Sequence, residues 1–161
     1  MKKTLLSIMT MAILASGSAN AQPLNKDIHV SAEVHSNVSL DKAIGGDLNN
    51  IDLKYDVNSN DGTHTFNEQI KIQATGGANR VRLALLEDFS LENGNNKFTD
   101  HSISIGGKIL QSPVAFLPIN QFFDLANGEI TLELIMSAKE PQNAPAGVYS
   151  GTAKLVIEES I

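Results

Sequence analysis

Four histidines, His29, His35, His64 and His101, are the side chains best suited to hold a metal or move a proton in this chain. Either task needs two or three such groups converging on one point. None of the four has a Cys, an Asp or a second His at a ligand spacing on the same local face. His29 and His35 do share the polar parity of one alternating run, but six residues of extended chain put them about 20 Å apart, too far to share an ion. All four are therefore read as solvated side chains on polar strand faces. The paired acids Glu87-Asp88 and Glu158-Glu159 are sequence neighbours whose side chains point to opposite sides in extended backbone, which disfavours paired-carboxylate catalysis. There is no Gly-x-Ser-x-Gly elbow, no phosphate-cradling Gly-rich loop and no cysteine. Gly45-Gly46, Gly76-Gly77 and Gly106-Gly107 read as turns, and Asn37-Val38-Ser39 matches a glycosylation acceptor only incidentally. No catalytic, metal or cofactor site is expected. What remains is binding through the backbone and the apolar side chains.

The elements that present those groups begin after a leader. Met1-Lys2-Lys3 supplies a positive start, Thr4 to Leu14 an apolar stretch, and Ala19-Asn20-Ala21 a small-x-small site. The apolar stretch is too short for a membrane span of about 20 residues. Cleavage between Ala21 and Gln22 is expected, so residues 1–21 are read as a signal peptide and the rest as one domain with a real core. The leader takes two of the 12 lysines and arginines and none of the 18 acids, so the mature chain is more acidic than the formal charge of −6. Such a surface repels phosphate backbones and anionic headgroups, which argues against nucleic-acid and peripheral membrane binding. An exported chain without cysteine relies on packing and strand pairing for its stability.

Beyond the leader, apolar residues fall on alternate positions, with Gly, Asn, Asp and Pro between the runs. Ile28, Val30, Ala32 and Val34 open the first run, which Val38 and Leu40 continue. Ile51, Leu53, Tyr55 and Val57 form a second, and Phe66, Ile70, Ile72 and Ala74 a third. Glu68 falls on the apolar parity of that third run and points to an edge or a bulge there. Val81, Leu83 and Leu85 follow. Ile130, Leu132, Leu134 and Met136 come next, then Tyr149, Ala153, Leu155 and Ile157. Ile105-Gly106-Gly107-Lys108 reads as a tight hairpin, residues 89–100 as a loop, and 113–123 as a less regular stretch. No segment reads as a helix. Six to eight short antiparallel strands at this spacing imply an all-β sandwich.

The two ends are unusual. The first run begins within about six residues of the expected new N-terminus, where chains ordinarily fray. The last run reaches the final residue, so its far edge has no following strand, a hazard unless it is covered. The first run is either an ordinary strand of a self-contained sandwich or an arm that completes another copy by strand addition, and pattern leaves both open. In the second case, burying Ile28, Val30 and Val34, with Ala32 adding less, contributes roughly 5 to 10 kcal/mol before ordering costs. A head-to-tail contact of this kind generates an open filament.

Three segments together resemble the major subunits of alpha-fimbriae, the class 5 pili that include colonization factor antigen I and the coli surface antigens. Residues 26–34, Lys-Asp-Ile-His-Val-Ser-Ala-Glu-Val, are similar to that family's mature N-terminus. Residues 103–110 resemble its central Gly-Gly hairpin. Residues 144–151, Ala-Pro-Ala-Gly-Val-Tyr-Ser-Gly, continuing to Ile157, resemble its C-terminal strand. The resemblance implies an immunoglobulin-like sandwich lacking its final strand (residues 37–161), preceded by an N-terminal donor strand (22–36). It further implies a periplasmic chaperone, an outer-membrane usher, polymerisation with identical or homologous subunits by donor-strand exchange, a separate tip adhesin, and a fimbrium on the bacterial surface. Its donor face maps onto Ile28, Val30, Ala32 and Val34, and its acceptor groove onto Tyr149, Ala153, Leu155 and Ile157. One departure stands out: His35-Ser36 occupies the place where the family commonly has Asp-Pro.

A small fimbrial adhesin or glycan-binding sandwich is the competing reading. Sugar platforms usually stack on aromatic faces. This chain has no Trp and only Tyr55 and Tyr149, both on core-facing parity.

Overall fold

Thr63 to Ala74 and Glu129 to Lys139 carry the longest alternations, and they form the two longest strands, paired antiparallel along eleven residues from Thr63↔Lys139 to Gln73↔Glu129. The computed structural model describes residues 37–115 and 117–160, which lie in a unit spanning His35–Ile161. Every regular element among them is a strand: β1 (Val38–Lys42), β2 (Lys54–Tyr55), β3 (Thr63–Ala74), β4 (Arg80–Leu85), β5 (Glu92–Asn93), β6 (Asn96–Lys97), β7 (Thr99–Ile105), β8 (Lys108–Ile109), β9 (Gln121–Asp124), β10 (Glu129–Lys139) and β11 (Leu155–Glu159). One sheet runs β1-β3-β10-β7-β8, with β2 also on β3, and a second runs β11-β4-β9.

The sheets face each other across one core. Ile70, Ile72, Ile103, Ile105, Leu134 and Met136 come from the first, and Val81, Leu83, Leu85 and Phe123 from the second. Ile70, Ile72, Val81, Leu83 and Ile105 are wholly buried. No polar or charged residue among those described is buried, so the core has no desolvated polar group to satisfy. This is the all-β sandwich that the period-two pattern implied.

The Gly-Gly hairpin forms as expected. Ile105 pairs with Lys108, and Gly106 and Gly107 take φ of 55° and 76°, the positive pair that a two-residue type I′ turn demands. Glu68 is half-buried in an unbulged register. It lies in a gap on one side of β3, because β1 reaches only to Ile70 and β2 begins at Thr65.

Several expectations need correction. The second run gives only the two-residue β2, because Asp56 Oδ1 accepts the Asn58 N–H and turns the chain, leaving Val57 76% exposed. The expected loop at 89–100 contains the ribbon β5–β6, closed by Gly94 at φ 59°, and runs into β7. The irregular stretch 113–123 ends in β9, whose Phe123 enters the core. The last run is a strand only from Leu155. Before it the chain touches the rest of the fold through a bridge from Ser150 to Glu92.

Two of the histidines are not simply solvated. His64 is half-buried between Tyr55 and Phe98, with ring centroids 5.6 and 5.2 Å away, and its Nδ1 donates to the Gly62 carbonyl at 3.2 Å. His101 Nε2 accepts the Leu91 N–H at 3.0 Å, and its ring meets Phe89 edge-on at 5.3 Å. His29 and His35 lie outside the described residues. Burial pushes the His101 imidazole below its usual pKa, Lys97 adds to this, and Asp100 and Glu92 oppose it. A proton on Nε2 also removes the acceptor for Leu91.

Two measurements test this account. Ile72→Ala removes a wholly buried side chain between β1 and β10 and should cost about 2 to 5 kcal/mol in denaturant unfolding; a loss below 1 kcal/mol contradicts the assigned core. For His101, the folded form binds the proton less readily than the unfolded chain. Its contribution is therefore complete above about pH 6.5 and declines as pH falls through that value. Unfolding free energy between pH 7 and 5 should drop more steeply for the wild type than for His101→Gln, and equal slopes contradict the assignment.

Candidate functional site: an apolar cleft beside the outer edge of β11

Strand β11 pairs with β4 in a register from Leu155↔Leu85 to Glu159↔Val81. The flanking bonds, Leu86 N–H to the Lys154 carbonyl at 2.8 Å and Ser160 N–H to the Arg80 carbonyl at 2.9 Å, set which residues face β4. Even-numbered residues turn their backbone groups toward β4. Leu155, Ile157 and Glu159 therefore turn theirs to the opposite edge. No described strand pairs with that edge. The same odd-numbered residues send their side chains inward, where Ala153, Leu155 and Ile157 pack on the core. Backbone donors and acceptors thus stand in a row above apolar side chains, which is what an added strand needs from its host.

Beside this edge lies a cleft of about 470 Å³. Ala153 and Leu155 form one wall, and Leu40 of β1 with Leu48, Ile51 and Leu53 of the following segment form the other. Phe89, Leu91, Ile103, Leu134 and Met136 form the floor. A smaller cavity of about 270 Å³ adjoins it, sharing Ile51, Leu53 and Leu91 and adding His64, Phe98 and Tyr149. Asp41 and Asp47 sit on the cleft's rim and Asp52 on that of the adjoining cavity, with no Lys or Arg in either lining.

Local chemistry holds the floor in place. Phe89 and Leu91 belong to the segment that His101 ties down. Gly151 brings the lead-in of β11 against this segment, where a Cβ would overlap the Ser90 carbonyl oxygen, so no other residue fits without displacing the backbone. The bridge between Glu92 and Ser150 closes the contact with mutual bonds of 3.0 and 3.1 Å.

Of the four groove residues read from the sequence, Ala153 and Leu155 line the cleft and Tyr149 lines the adjoining cavity. Ile157 is half-buried against the core but does not border this cleft. The donor residues Ile28, Val30, Ala32 and Val34 and the cleavage site at Ala21 and Gln22 lie outside the described residues. Sequence reasoning missed the opposite wall and the floor, although Leu40, Ile51 and Leu53 carry the alternation that marks them. Both tyrosines pack against neighbouring rings. Tyr149 packs on Phe98 with centroids 5.0 Å apart and donates its hydroxyl to the Pro145 carbonyl at 3.2 Å, while Tyr55, 44% exposed despite its core parity, meets His64. Among the described residues no group of three or more His, Cys, Asp or Glu is arranged to hold a metal.

Comparison with known proteins agrees with this architecture. The CooA pilin subunit from enterotoxigenic Escherichia coli is similar in structure, with a TM-score of 0.57 at 16% identity, over 77% of this chain and 88% of that one. A chain from a solved chaperone-usher pilus gives a TM-score of 0.47 at 16% identity, over 86% of this chain and 97% of its own. No curated protein matches by sequence. The family model described as CS1 type fimbrial major subunit matches residues 24–158. That match covers both walls of the cleft and residues 24–36 ahead of β1, and the chain belongs to the CS1 type fimbrial major subunit family.

Proposed function

We propose that this structural subunit of a surface fimbrium polymerises by donor-strand exchange, each copy inserting its segment 22–36 beside β11 of the next. The observation that carries the reading is the apolar cleft beneath the edge of β11 that no described strand pairs with, bounded across from it by Leu40 and floored by core side chains. An inserted strand pairs with the outward backbone groups of Leu155, Ile157 and Glu159. Its alternate residues Ile28, Val30, Ala32 and Val34 then descend toward Ala153, Leu155, Ile157 and the floor. Tyr149 closes the adjoining cavity, and residues 37–161 form the accepting domain. An incomplete domain with an exposed apolar cleft is an aggregation hazard before assembly. That hazard supports a chaperone in the periplasm after removal of residues 1–21 and transfer through an outer-membrane usher. A separate subunit then carries the tip adhesin.

Coexpression with chaperone and usher, followed by electrophoresis without heating, tests the arm and the groove separately. The wild type should give a ladder of heat-dissociable multimers, and deletion of residues 22–35 should abolish it. Val30→Asp or Ala32→Asp should do the same by placing an unpaired charge in an apolar site, while the chaperone-bound subunit still accumulates. A full ladder from the deletion variant contradicts the reading.

A further inference from the structure

The inward row of β11 does not end as it begins. After Ala153, Leu155 and Ile157, the next residue of the same parity is Glu159, half-buried at the pole of the sandwich. Its Oε1 accepts the Gly76 N–H at 3.1 Å, and a Cβ at Gly76 would lie 2.5 Å from that oxygen, so glycine is what lets the carboxylate settle there. The acids around it are paired: Glu158 with Arg82, and Asp124 with Arg80 at 2.7 Å. Glu159 has no ion-pair partner among the described residues, and it borders a cavity of about 450 Å³ that opens at this pole. An acidic side chain thus continues an otherwise apolar row.

The donor segment has the complementary feature. Between Gln22 and Ser36 the one Lys or Arg is Lys26, two residues before Ile28 and on the parity of Ile28, Val30, Ala32 and Val34. We propose that Lys26 of one subunit pairs with Glu159 of the next, so that this ion pair fixes the direction and register of the inserted arm. The proposal rests on the donor-strand reading and adds to it an alignment. Running antiparallel to β11, the arm sets Lys26 against Glu159, Ile28 against Ile157, Val30 against Leu155, Ala32 against Ala153 and Val34 against Gly151. All five stay in step, because both rows advance by two residues, about 6.6 Å, at a time. Val34 then reaches the lead-in of β11, where Gly151 is seated against Ser90.

The alternatives misplace a charge. A parallel arm in the same span puts Lys26 beside Gly151 and the apolar cleft, and Val34 over the Glu159 carboxylate. A slip of two residues moves Lys26 off Glu159 or onto Ile157. Either leaves an ammonium or a half-buried carboxylate without its partner. A one-residue slip turns the whole apolar row outward. Apolar side chains of similar size tolerate neighbouring registers, whereas one opposite-charge pair at the end of the row selects a single one.

A charge-reversal cycle in full-length subunits, assembled with chaperone and usher, tests the pairing. Lys26→Glu alone and Glu159→Lys alone should each speed dissociation of the unheated ladder about tenfold, and the double variant should return to within about twofold of the wild type. Should Glu159→Lys fail to accumulate, Glu159→Gln replaces it, and Lys26→Glu should then add little to the loss. Losses that simply add in the double variant, or no loss in either single, overturn the pairing. Direction is read from disulfides in this cysteine-free chain. Lys26→Cys with Glu159→Cys should cross-link neighbouring subunits on oxidation, and Val34→Cys with Glu159→Cys should not; the opposite pattern overturns the antiparallel register. Val30→Asp separates the two levels. If it abolishes the ladder while the charge variants have no effect, the register claim fails and the arm reading stands. If it leaves the ladder intact, the arm reading itself fails.

Discussion

A row of backbone donors and acceptors on the outer edge of β11, with apolar side chains beneath it, is the constraint on which the rest of this structure depends. Backbone amides and carbonyls need hydrogen-bond partners once they leave water, and the apolar cleft next to them gains from being covered. A single inserted strand meets both needs. Neither need is met by a small ligand, which offers no ladder of main-chain groups, or by a nucleic acid, which the acidic rim of Asp41, Asp47 and Asp52 repels.

The remainder of the fold serves to keep that edge straight and the cleft open. The ladder between β3 and β10 supplies a rigid back, with Leu134 and Met136 reaching through to the cleft floor. On the other side β4 holds β11 in a regular register. The segment around Phe89 and Leu91 is irregular, and it is fixed by side-chain chemistry instead: the His101 acceptor, the Phe89 ring contact and the close approach of Gly151. Ion pairs such as Lys71–Glu129 and Lys139–Asp61 lie at the exposed surface, where they contribute little to stability. Packing therefore carries the domain, as the absence of cysteine from the sequence requires.

Much of the scaffold was legible in the residues, for a definable reason. In β3, β4 and β10 buried apolar residues recur at alternate positions, so the alternation reports them directly, and the positive φ of Gly106 and Gly107 leaves a mark in residue type. The short pieces were not legible. Tyr55 and Val57 keep the parity of a strand that the Asp56 turn interrupts, and the ribbon β5–β6 is too polar to alternate. The cleft was half legible. Leu155 and Ala153 stood out because they follow a recognisable Gly-Val-Tyr-Ser-Gly segment. Ile103, Leu134 and Met136 could not be told from ordinary core, because side-chain alternation records which face is buried and not which backbone edge lacks a neighbour. The histidines misled for a related reason: exposure inferred from parity says nothing about the loop that folds over His101.

The most direct measurement is residue-resolved amide hydrogen exchange along β11, compared between chaperone-free monomer and assembled fibre. The N–H groups of Val156 and Glu158, which face β4, should be protected in both. Those of Leu155, Ile157 and Glu159 should exchange rapidly in the monomer and become at least as slow as their neighbours in the fibre. Protection of all five in an isolated, long-lived monomer would show that the edge is already paired within one chain, contradicting the claim that each subunit is completed by another.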